Sequence, residues 1–188
     1  MRLFLCGIAL AALTGCTLFS LYPFYTDENR VDVPPEVRGL WSGGSLHLKI
    51  LPGGRVEYRS FGEKETVELE LQAVFFRIDG TLYADISLAG QTPAIDHAVL
   101  LGVLAPTHNL YQVAIDGDTL TVRRPDSGKL RELCRAGKVK LPYAAPLQKE
   151  DPPVFTASPQ EWERALRSHS GAIFSEKNAV RFQRVLVQ

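Results

Sequence analysis

From Gly39 onward, apolar and polar residues alternate with period two. Leu46, Leu48 and Ile50 interleave with Ser45, His47 and Lys49, and Val56 and Tyr58 with Arg55, Glu57 and Arg59. Successive side chains on a strand point to opposite faces, so these runs predict half-buried β-strands, with a turn at Pro52-Gly53-Gly54. Val67, Leu69 and Leu71 set against Glu68, Glu70 and Gln72 predict the clearest strand, which runs on towards Ile78. At Phe75-Phe76 both parities are apolar, which predicts a bulge. Asp79-Gly80 signals a tight hairpin before Leu82, Ala84, Ile86 and Leu88, and Asp116-Gly117-Asp118 signals another between Leu110–Ile115 and Thr119–Arg123.

The second half is mixed. Ser127 is positioned to cap a short helix reaching Arg135, with Leu130, Leu133 and Cys134 on one face and Gly137 as its stop. Val139–Tyr143 and Val154–Thr156 read as short strands around a proline-rich connection. Ser158-Pro159-Gln160-Glu161 combines a cap, a first-position proline and a glutamate three residues after the cap, a strong helix start. Trp162, Ala165, Leu166 and His169 follow at helical spacing, Gly171 is the expected end, and Ala179–Val187 reads as a last strand. The pattern therefore predicts a mainly β fold. An antiparallel up-and-down meander that protects its edges closes into a small barrel, here with one or two short helices in the C-terminal half. Leu40, Trp41, Leu46, Leu48, Val67, Leu69, Leu71, Leu82, Ala84, Ile86, Val113, Leu120, Val122 and Phe182 are expected to form one continuous core.

The first residues have a different character. Arg2 is the only charge before Asp27, and the apolar run Leu3–Leu13 falls short of the roughly 20 residues needed to cross a bilayer. It suits the core of an export signal. It ends in Leu13-Thr14-Gly15-Cys16, which resembles the lipobox of bacterial lipoproteins. That resemblance implies a signal peptide over 1–15 and a diacylglyceryl group, with palmitate-type chains, on Cys16. A lipidated tether and arm follows over 16–36, and a single barrel-like domain over 37–188. The arm carries Leu18, Phe19, Leu21, Tyr22, Phe24 and Tyr25, too apolar for a solvated linker, so part of it should dock on the domain. Thr17, rather than an aspartate, follows the cysteine, which favours the outer membrane, facing the periplasm.

A balance of 21 basic and 21 acidic residues argues against nucleic acid or an acidic surface as the main partner. Attachment to the membrane is then through acyl chains rather than charge. With Cys6 in the signal and Cys16 acylated, Cys134 is left without a disulfide partner and reads as a small packed side chain.

Gly39-Leu40-Trp41, at the head of the first long strand, resembles the Gly-x-Trp opening of lipocalin-type barrels, the calycins. The wider layout resembles a group of uncharacterised bacterial lipoproteins with calycin-like domains. It comprises Tyr22-Pro23 to Tyr25-Thr26, Val37 to Trp41, His108-Asn109-Leu110-Tyr111, the Asp116 to Leu120 turn and the Thr156 to Phe174 region. The resemblance covers nearly all of the mature chain and implies the barrel but no activity. The chain departs from lipocalins in lacking their disulfides and in placing a helix before its final strand.

Candidate chemistry is sparse. His47, His97, His108 and His169 form no metal-ligand spacing. No Gly-x-Ser-x-Gly, phosphate loop or dinucleotide fingerprint is present, so neither an enzyme nor a cofactor is expected. Glu63, Glu65, Glu68 and Glu70 fall on a turn and an outward face. Asp96-His97 and His108 flank the unbroken apolar run Ala98–Leu104 and could meet across it as a hydrogen-bonded pair. That run reads either as a strand buried on both faces or as a loop over the barrel mouth. In the second case Leu100, Leu101, Val103, His97 and His108 would line a site for a small apolar ligand or touch an envelope protein. Two functions stay open: a lipid-anchored module binding a small apolar ligand or lipid, and a structural lipoprotein whose filled barrel contacts another envelope component.

Overall fold

The computed structural model describes residues 18–62, 66–89, 107–144 and 153–186. In chain order the elements are β1 (Phe19–Ser20), β2 (Arg30–Val31), β3 (Gly39–Gly43), β4 (Leu46–Ile50), β5 (Arg55–Phe61), β6 (Thr66–Ile78) and β7 (Thr81–Leu88). They continue with β8 (His108–Asp116), β9 (Thr119–Pro125), α1 (Ser127–Arg135), β10 (Tyr143–Ala144), β11 (Val154–Phe155), α2 (Pro159–Ile173) and β12 (Phe174–Arg184). Strands β3 to β9 pair antiparallel, each with the next, and β12 returns to lie between β9 and β3. Eight strands thus close a small calycin-like barrel, as the alternation and the Gly-x-Trp resemblance imply.

The closed end of the barrel carries the turn at Pro35–Val37 and the hairpins at 52–54, 79–80 and 117–118. Trp41 is fully buried there and donates from Nε1 to the Val37 carbonyl at 2.8 Å. Gly39 has φ +121, and a Cβ on it would lie 3.2 Å from the Arg184 guanidinium. The Gly-x-Trp spacing therefore has a local cause: glycine leaves room for the arginine that covers the tryptophan.

Apolar burial divides into two clusters where one was expected. The lumen holds Val37, Trp41, Ile50, Val56, Ala73, Phe75, Leu82, Ala84, Val113, Leu120 and Phe182. A second cluster lies outside the barrel wall, between the outward face of β6–β8 and a cover made of the arm, α1 and α2. It includes Leu18, Phe24, Phe76, Tyr83, Leu110, Phe155, Trp162 and Leu166. Phe75-Phe76 is therefore no bulge: β6 pairs with β7 in unbroken register through Phe75–Ala84 and Phe76–Tyr83. Both parities are apolar because each face of this strand meets a core. Leu40, Val67 and Leu69 lie in neither cluster and are half-buried, since the first is outward-facing and the others stand near the open rim.

Several boundaries also differ from expectation. The N-cap of α1 is Asp126, whose carboxylate accepts the Lys129 N–H, and Ser127 is the first helical residue. The start of α2 has the full capping box between Ser158 and Glu161, but the helix passes Gly171 and ends at Ile173. It continues because Ile173 is buried in the outer cluster. Strand β12 begins at Phe174, well before Ala179, and absorbs the extra length as a register shift between Phe174 and Ala179. Of the expected strand at Val139–Tyr143 only Tyr143 pairs. Val139 and Leu141 are instead anchored by burial in the outer cluster.

Candidate functional site

The most distinctive polar group is Asp85. It sits on β7 between the inward residues Ala84 and Ile86, so its side chain points away from the lumen into the covered outer face, where it is 2% exposed. The Phe24 N–H donates to Asp85 Oδ2 at 3.1 Å, and His108 Nδ1 lies 2.9 Å from both carboxylate oxygens. Burial raises the Asp85 carboxyl above the ordinary aspartate range, and the His108 hydrogen bond opposes that rise. Burial and the Asp85 charge in turn push the Tyr25 phenol upward. Ser20, opposite His108 in register, accepts the Tyr22 N–H on its hydroxyl at 3.3 Å. The cluster thus fastens the arm to the barrel: a buried carboxylate takes one arm N–H, and an imidazole on the adjoining strand holds it.

The lumen grades from filled to open. At the closed end Trp41, Phe75 and Leu120 are buried. Higher up, Tyr58 and Tyr111 project inward, and burial pushes the Tyr111 phenol up to about 12. Towards the mouth, formed by the turn at 44–45 and by the ends of β5, β6, β7 and β8, the inward residues Leu46, Leu48, Leu71 and Ile86 are only half-buried. An apolar side chain inside a fully packed barrel would be covered on all sides. These four are accessible, so apolar surface is presented at the mouth. Two open concavities lie elsewhere. One of about 720 Å³, at the Trp41 end, is lined by residues including Glu36, Arg77 and Gln112. The other, of about 450 Å³, runs from Cys134 to Tyr143.

Of the expected site residues, the structure describes His108 alone. Its partner is Asp85, and Asp96 and His97 lie outside the described residues. Cys16, Leu100, Leu101, Val103 and the whole of Ala98–Leu104 also lie outside them. The connection that contains Ala98–Leu104 leaves after Ala89 and returns at Thr107, both at the mouth. His47 stands on the outer face near Ser42 Oγ at 3.4 Å, with Phe61 against its ring edge. His169 lies 3.2 Å from the Lys138 carbonyl. Cys134 is half-buried against the outer cluster, and burial raises its thiol above the ordinary range, consistent with a packing role. Among the described residues, no group of His, Cys, Asp and Glu could hold a metal ion, and no helix is long and apolar enough to cross a membrane.

Asp85 was missed in the sequence because alternation assigns it to the outward face, where charge is ordinary. The available signal was its neighbourhood: an apolar arm that needs a surface to dock on, and Tyr83 and Asp85 on the parity facing that surface. Comparison with family models, with curated proteins and with solved structures finds no match for this chain.

Proposed function

We propose that this chain is a lipid-anchored lipoprotein of the bacterial cell envelope, placed in the outer membrane and facing the periplasm. Its barrel binds a small apolar ligand or lipid. The observation that carries the binding reading is the half-accessible apolar lining of Leu46, Leu48, Leu71 and Ile86 above a lumen that is plugged at its other end. A barrel of eight strands has an interior suited to one small ligand, and a concave apolar site with a few polar groups is the usual form of such pockets. The anchoring reading is supported by Arg2, the Leu3–Leu13 run and the Leu13-Thr14-Gly15-Cys16 ending. The arm then packs on the domain from Leu18 onward.

A second reading, a filled barrel that contacts another envelope component, is favoured by Tyr58 and Tyr111. These large inward side chains occupy the middle of the lumen. Native mass spectrometry of the protein purified from its own host separates the two. A co-purifying lipid or other apolar molecule of defined mass is the result expected for the binding module. A bare chain mass, with no response to added fatty acid or phospholipid, overturns it in favour of the filled barrel.

A further inference from the structure

Strands β1, β11 and β10 extend the sheet beyond the N-terminal end of β8 as a short three-stranded flap. One face of the flap is committed. Leu18, Ser20 and Phe155 are buried on the outer cluster side. The opposite face carries the lateral row Asn109, Phe19, Val154 and Ala144, with Leu21 following in the direction of the mouth. Because Asn109 is an inward position of β8, this row continues the inner surface of the barrel outward past its rim. Leu21 is 42% exposed and Tyr22 52% exposed. None of the six residues in the three strands is charged, nor is any residue from Leu18 to Tyr25.

The inference rests on the lipoprotein reading. Only Thr17 separates Cys16 from Leu18, which is already packed on the domain. Two residues reach about 7 Å when fully extended. The domain therefore has no free tether, and the flap stands at the bilayer surface. We propose that the Phe19–Leu21–Val154 face lies on the lipid surface, with Tyr22 at headgroup level, so that the barrel mouth opens beside the membrane. Apolar residues enter the boundary between headgroups and acyl chains, and tyrosine rings favour that boundary because one end is apolar and the other polar. A ligand exchanging between bilayer and lumen would then pass along apolar surface.

The test uses the full acylated chain floated on vesicles of phosphatidylethanolamine and phosphatidylglycerol containing phospholipid brominated in its acyl chains. Trp41 and Trp162 are fully buried, so the emission of an introduced indole can be read as the difference from the parent protein. Leu21→Trp reports on the flap, Tyr22→Trp is a conservative second reporter there, and Ala114→Trp, exposed on β8 near the closed end, reports on the far side. Expected is strong loss of emission at both flap positions and none at position 114. Equal quenching at all three positions, or none at any while the protein floats, overturns the proposal. The last result would mean that another occupant covers the face. Failure to float would remove the anchor reading itself, and the membrane-facing assignment with it.

Discussion

The guanidinium of Arg184 stands 4.2 Å from the centre of the Trp41 ring, and both side chains are tied to one short stretch of backbone. Trp41 donates to the Val37 carbonyl, while Arg184 donates to the carbonyls of Arg38 at 2.9 Å and Glu36 at 2.7 Å. The last strand is thereby clamped onto the first through the turn that plugs the barrel. Truncating Trp41 to alanine should cost about 3–5 kcal/mol, the usual penalty for removing a large buried aromatic. Arg184→Ala should cost less, and the double variant should show a coupling of about 0.5–3 kcal/mol, as residues in contact do. Arg184→Lys should restore little, because a single ammonium cannot replace a planar fork reaching two carbonyls. Urea unfolding of the four variants decides it, and strict additivity would mean that the two side chains do not cooperate.

Asp85 should leave a mark on the pH dependence of stability. Its carboxyl is raised by burial, so the folded state holds this proton more tightly than the unfolded state does. The associated stability is fully present below the unfolded value and is lost as pH rises through the folded one. The melting temperature of the parent minus that of Asp85→Asn should therefore increase as pH falls from neutral towards the ordinary aspartate value of 3.8. A difference that stays flat or shrinks would mean that Asp85 is no more easily ionised unfolded than folded.

Processing is the direct test of the N-terminus. Cys16→Ser should leave the chain uncleaved and without the mass added by acylation, and should shift it out of the membrane fraction. Density-gradient separation of the two membranes should place the parent in the outer one. Normal membrane fractionation of the serine variant, at unchanged mass, would refute the lipid anchor.

The barrel was legible because strand alternation is local. Leu46, Leu48, Ile50 and Val67, Leu69, Leu71 announce their inward parity within a few residues, and Asp79-Gly80 and Asp116-Gly117 announce their turns. The outer layer was not legible, because nothing near Tyr83 or Asp85 says what covers them. Their cover comes from Phe24, some 60 residues upstream, and from Trp162 far downstream. The same long-range packing explains Phe75-Phe76, where a strand sandwiched between two cores mimics a bulge. It also explains why α2 outlasts Gly171, since the buried Ile173 adds more than one exposed glycine removes. Of the candidate site, His108 was singled out together with Asp96 and His97, which lie outside the described residues. The contact of His108 with Asp85 was hidden by the outward parity of Asp85.

The binding and filled-barrel readings make opposite claims about one wall position. Ile86 points into the lumen near the mouth, flanked by Ala73 and Asn109 in the adjoining strands, and is half-buried. If the space beside it is a ligand site, Ile86→Trp should fit into that space. The melting temperature would then change little, while a polyene fatty acid, whose emission rises in apolar surroundings, would lose its binding. If the lumen is filled, the added ring has nowhere to go, and overpacking should cost about 1–3 kcal/mol. The parent would then give no enhancement of the probe to lose. A thermal melt and a probe titration on the same two proteins separate the readings. A destabilised Ile86→Trp together with a silent parent would count against a ligand in this barrel.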